Sequence, residues 1–123
     1  MTSETKQDLR QRTKRFALRI IHMATALPKN PVGNVINYQI VKSGTSPGAH
    51  YREASRSRST AEFISKMEGG LQELDETAYW LELLSESGTL PAKRLAELCK
   101  ETDELIAIFT ACVRNAKRKK GAR

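Results

Sequence analysis

No apolar run in this chain approaches the roughly 20 residues a helix needs to cross a bilayer, which excludes a helical membrane protein. The opening MTSETKQDLRQRTKR carries charge but no apolar stretch of the secretory kind, so a cytoplasmic location is expected. Cysteine is scarce. Cys99 and Cys112 stand 13 residues apart on one predicted helix, a separation of about 20 Å that a disulfide cannot span. Neither has a His or Cys neighbour at ligand spacing, so both read as small core residues, and no metal or other cofactor is expected. The two histidines, His22 and His50, lack the Glu-x-x-His partner of a di-iron bundle, and no serine stands in a G-x-S-x-G elbow. Aromatics make up 6% of the chain, and only Phe16 and Tyr51 lie near basic residues, too few for a platform that stacks single-stranded bases. Seven glycines, four prolines and no long polar low-complexity run argue against bulk disorder.

What is present is charge, unevenly spread. Residues 1–61 carry 11 basic and 3 acidic side chains, residues 62–104 carry 4 and 11, and residues 105–123 carry 6 and none, for a net +7. Two readings follow from an acidic middle between basic flanks. Basic and acidic helices could neutralise one another within a bundle or between subunits. Alternatively the basic elements form one patch for a polyanion, with nucleic acid the best fit.

At 123 residues and 39% hydrophobic content the chain forms one domain with one core. Four segments show helical periodicity, predicted at about 6–27, 32–57, 60–87 and 91–116, with 117–123 a basic flexible tail. In the first, Leu9, Thr13, Phe16, Ile20, Met23 and Leu27 alternate spacings of four and three. The second runs through Val35, Ile36, Ile40, Pro47, Tyr51 and Ala54, after a turn rich in proline. Ser59 and Glu62 have capping-box spacing and open the third, whose seam is Ile64, Met67, Leu71, Leu74, Ala78 and Leu81, and which Gly88 closes. Pro91 starts the fourth, with Leu95, Leu98, Thr102, Leu105, Phe109 and Cys112. Long helices joined by short turns pack most simply as an antiparallel up-down-up-down four-helix bundle, so the fold class is all-α. Apolar residues spill onto second faces at Ala17, Ile21, Ala24, Tyr79, Trp80, Leu83, Ile106, Ile108 and Val113. Either the core stripe is wide or another subunit covers the surplus.

The stretch YQIVKSGTSPGAHYREASRSRS at 38–59 holds two features. Its small residues Ser43, Gly44, Thr45, Ser46, Gly48 and Ala49 let a neighbouring helix approach closely, and Pro47 is expected to kink the helix, with Ser43 or Thr45 satisfying freed backbone groups. A phosphate-binding role is the competing reading, but the strand-loop-helix setting of a P-loop is missing. After it come Arg52, Arg56 and Arg58. These either pair with Glu62, Glu73 and Glu76 of the third helix as a structural network or face solvent as a polyanion site.

Arg10, Lys14 and Arg15, with Lys6, Arg12 and Arg19, charge the first helix, and Arg114, Lys117, Arg118, Lys119, Lys120 and Arg123 charge the end of the last. In an antiparallel bundle these two clusters meet at one pole, where they would grip backbone phosphates without reading sequence. The pair Arg15 and His22, with six residues between them, faintly resembles the R-x(4 to 6)-H motif of helical ribonucleases; a packed or surface histidine is the plainer reading.

The run at 38–84 resembles a known family. The pattern couples Gln39 and Lys42 to Ser43, Thr45, Ser46, Gly48 and Ala49, then Tyr51, Arg52, Arg56, Arg58 and Ser59, then Glu62, Phe63, Lys66, Leu71, Glu73, Glu76, Tyr79 and Trp80. It is similar to the small four-helix-bundle proteins first noticed as open reading frames in intervening sequences of bacterial 23S ribosomal RNA. The Leu90-Pro91 start of the last helix also fits, so the resemblance covers about residues 9–116. It implies a left-handed bundle assembled as a homopentamer, without known catalytic activity. Relatives in that family serve diversity-generating retroelements as accessory proteins, where a basic pentamer binds a reverse transcriptase and RNA. The combined expectation is a non-enzymatic, oligomeric protein that contacts RNA or DNA through Arg10, Lys14, Arg15, Arg52, Arg56, Arg58, Arg114, Lys117, Arg118, Lys119 and Lys120. The alternative is an adaptor that meets an acidic protein, such as a reverse transcriptase, without touching nucleic acid.

Overall fold

A computed structural model describes residues 3–121, with side chains described from residue 8 onward. Its elements are four helices, α1 Ser3–Ala24, α2 Pro31–Ser55, α3 Thr60–Glu86 and α4 Ala92–Gly121, packed in chain order as an up-down bundle. Of the expected cations, Lys6 and Arg123 have side chains outside the described residues.

Local chemistry accounts for the boundaries. Asn30 caps α2, its Oδ1 accepting the Gly33 N–H at 2.8 Å, and Pro31 fills the first position, where its missing N–H is harmless. Ser59 caps α3 through the Glu62 N–H at 3.0 Å. The box is displaced by one residue, because the Glu62 carboxylate reaches back to the Arg58 N–H at 3.2 Å. Gly88, at φ +73°, reverses the chain after α3 as expected, and buried Leu90 donates its N–H back to the Leu84 carbonyl. Three expected ends move, α2 stopping at Ser55 and not 57. α1 stops at Ala24, not 27, because residues 25–27 tighten into three-residue bonds to His22, Met23 and Ala24, while Leu27 stays buried. The expected tail at 117–121 is instead helical. Lys and Arg favour helix, nothing breaks it before Gly121, and cations suit the negative end of the helix dipole.

The seams predicted from spacing form the core: Leu9, Phe16, Ile20, Ile40, Tyr51, Met67, Leu74, Leu81, Leu95, Leu105 and Phe109 are all essentially inaccessible. Buried hydroxyls are bonded inward. Thr13 bonds the Leu9 carbonyl at 2.7 Å, Thr102 the Leu98 carbonyl at 2.7 Å, and Thr77 spans α3 and α2 to the Ser43 Oγ at 2.8 Å. α2 runs through Pro47 unbroken. The hydroxyls of Ser43, Thr45 and Ser46 bond carbonyls of residues 40–42, one turn back from the Ser43 carbonyl that Pro47 leaves open. The small residues do admit close neighbours: a Cβ on Gly44 would fall 2.8 Å from Ile20, and one on Gly48 3.2 Å from Thr13. Cys99 and Cys112 are half-buried against the core, and burial raises both thiols above the ordinary cysteine range.

Of the second faces, Ala24 and Val113 belong to the core, and Trp80, Ile106 and Ile108 pack partly against it. Ile21 and Tyr79 stay exposed, joined by Leu18, Val32, Val35 and Tyr38. Three helix pairs pack extensively, whereas α1 and α4 touch sparsely, leaving an open seam along one side.

Candidate nucleic-acid interface

Alternating direction brings the start of α1, the α2–α3 turn and the end of α4 to one pole. The Gly48–Thr13 contact sets the level, so Arg52, one turn beyond Gly48, stands beside Arg10, one turn before Thr13. Arg56 and Arg58 follow in the turn, and Arg114, Arg118, Lys119 and Lys120 project from the last turns of α4. All of these are exposed except Arg52, which is half-buried, and none makes an ion pair among the described residues. Lys117 differs, meeting Glu68 of α3 at 3.3 Å. Lys14 is exposed about one turn further from the pole.

The expected pairing of Arg52, Arg56 and Arg58 with Glu62, Glu73 and Glu76 does not form. α2 ends at Ser55, so Arg56 and Arg58 lie past it in the turn, and Arg52 projects on the side facing α1. Glu73 and Glu76 sit 14 and 17 residues beyond Ser59, roughly 21 Å or more up α3 from the turn. Glu62 reaches only the Arg58 backbone. Glu53 is met by Lys66 at 3.8 Å and His50 at 3.9 Å. These carboxylates therefore pair with none of the arginines at the pole among the described residues.

Neutralisation between helices does occur at the open seam. Arg12 bonds Glu101 through Nε at 2.8 Å and Nη2 at 2.7 Å, and Glu104 at 3.2 Å. This fork is the charged tie between α1 and α4. Its hydrogen bonds to Glu101 hold the Arg12 guanidinium above its ordinary value despite burial, and Arg12, with Arg19 and Arg15 nearby, keeps the Glu101 carboxyl below the usual range. Arg15 thus faces α4, not the pole. The sequence shows Arg12 only as one of the cations of the first helix and does not reveal its partner on another helix.

A depressed carboxyl contributes stability that is present above its unfolded pKa, about 4.3, and is lost as pH falls through the folded value. Arg12→Met is expected to lower stability by about 1–2 kcal/mol at pH 7 and to flatten the acid limb of stability below about pH 4.5. Urea melts at pH 7 and pH 3 check this; an unchanged acid limb would mean the fork adds nothing.

Among the described residues no group of three or more His, Cys, Asp or Glu could hold a metal ion, and no helix is long and apolar enough to cross a membrane. Among the described residues, His50 Nδ1, Glu73 Oε2 and Trp80 Nε1 are buried without a hydrogen-bond partner.

The family model described as 23S rRNA-intervening sequence protein matches residues 5–111. A crystal structure of a protein with unknown function from the S23 ribosomal protein family of Bacteroides thetaiotaomicron VPI-5482 is similar at TM-score 0.82 and 30% identity, covering 89% of this chain and 97% of that one. No curated protein matches the chain.

Proposed function

We propose that this chain, which belongs to the 23S rRNA-intervening sequence protein family, is a non-enzymatic homo-oligomer that grips RNA by its backbone at the basic pole. The observation that carries the reading is the set of eight cations there, Arg10, Arg52, Arg56, Arg58, Arg114, Arg118, Lys119 and Lys120, without an ion-pair partner among the described residues. Exposed guanidinium and ammonium groups at one pole bind phosphates and release counterions, with little dependence on sequence. A role beside a reverse transcriptase, as in the retroelement accessory proteins related to this family, belongs to the same proposal. Titration with random-sequence RNA at about 50 mM salt tests it. Binding without sequence preference supports RNA contact, and no binding favours the adaptor that meets an acidic protein.

Oligomerisation has its own support. Val32, Val35 and Tyr38 on α2 and Tyr79 on α3 expose apolar surface, while Leu18 and Ile21 expose more on α1. Two unlike patches on one subunit suit a head-to-tail ring. Light scattering is expected to give the mass of five 13.8 kDa chains, about 69 kDa, and Tyr38→Glu is expected to lower it. A 13.8 kDa species for the unmodified chain would contradict the pentamer.

A further inference from the structure

The open α1–α4 seam holds a second cationic feature, away from the pole. A groove of about 380 Å³ runs between the C-terminal half of α1 and the first turns of α4. Arg15 and Arg19 line it from α1 and Arg94 from α4, with Glu97 the one acid in the lining. Glu101 is close by, but the Arg12 fork already engages it. The lining therefore keeps a surplus of positive charge, and the first turn of α4 adds no acid to offset it. Met23 and Leu98 are buried at the groove, and Leu18 at its edge is more than half exposed. Cations placed over an apolar floor match a ligand that combines phosphate with a flat apolar group.

We propose that this groove is a nucleotide subsite: Arg15, Arg19 and Arg94 hold a backbone phosphate of single-stranded RNA, and the adjoining base or ribose lies on Met23 and Leu98. The inference rests on the reading of the protein as an RNA binder and extends the RNA path from the pole along the α1–α4 side. It assigns direct contact to Arg19 and Arg94, which lie apart from the polar cluster. Three arginines give bidentate phosphate contacts that lysines would not match.

Arg94→Glu is the cleaner probe. It places an acid in the first turn of α4, where the helix dipole favours one, so folding is preserved while the groove's surplus of positive charge is cancelled. Fluorescence anisotropy with a ten-nucleotide oligouridylate, on the full chain, compares wild type, Arg94→Glu, Arg19→Glu and a control reversal at Lys29, which lies outside the groove. The expected result is a loss of affinity of tenfold or more in both groove variants, little change in Lys29→Glu, and an unchanged oligomeric mass. Equal binding by wild type and both groove variants overturns the subsite while leaving the pole intact. Groove variants that alter the mass but not oligouridylate affinity make the seam a subunit contact and also overturn it. No oligouridylate binding by the wild type defeats the RNA reading itself.

Discussion

Replacing Arg118, Lys119 and Lys120 together with glutamine is expected to weaken binding of random-sequence single-stranded RNA about a hundredfold at 0.1 M salt. The size follows from counterion release. Each neutralised phosphate contributes about 0.7 to the slope of log K against log salt for single strands, so three lost contacts remove roughly 2. Extrapolated from 1 M, where the term vanishes, that is two decades at 0.1 M. Folding should be spared, because the three side chains are exposed and lie past Ala116, the last buried residue of α4. Glutamine keeps the helix propensity of the residues it replaces. An affinity within threefold of the parent, with an unchanged salt slope, would remove the end of α4 from the interface.

The second large effect is expected where α3 meets α4. A Cβ on Gly70 would lie 2.7 Å from Phe109 Cε2, and the Phe109 ring is fully buried. Gly70→Leu overfills this contact, at about 1–3 kcal/mol or more, and Phe109→Ala empties it, at about 3–5 kcal/mol. Against a total stability of about 5–15 kcal/mol for a domain of this size, either change is severe. Because one opens the space the other needs, Gly70→Leu/Phe109→Ala should be more stable than the sum of the single losses predicts. Urea melts of the four proteins measure the coupling. Strict additivity would show that residues 70 and 109 do not share the contact.

The helices were legible because their seams obey one simple period. Leu9 to Leu27, Ile64 to Leu81 and Leu95 to Phe109 repeat at four and three, and burial follows that repeat closely. Caps were legible for a similar reason, since Asn30 precedes a proline and Ser59 stands three residues before a glutamate. Ends without a stop signal were harder. Leu27 is buried but not helical, and residues 117–121 are helical although all of them are exposed. Periodicity reports which face meets the core, and neither case follows from that.

Partners across helices were the least legible feature. Pairing of Arg52, Arg56 and Arg58 with Glu62, Glu73 and Glu76 is one of two readings the sequence leaves open, and rise along α3 separates most of these groups. Arg12 finds its partner 89 residues away in Glu101. That pairing, and the groove beside it at Arg19 and Arg94, depends on α1 lying next to α4 while touching it only sparsely. No local pattern encodes that spacing. The meeting of the two basic ends was legible, because up-down topology alone brings them together.

The central claim, that the pole holds RNA through its phosphates, is tested most directly by the salt dependence of RNA binding to the unmodified chain. Anisotropy titrations from about 50 to 300 mM salt should give a straight line on log-log axes with a slope of about −3 or steeper, the signature of four or more neutralised phosphates. A slope near zero, or no binding at the lowest salt, would contradict it.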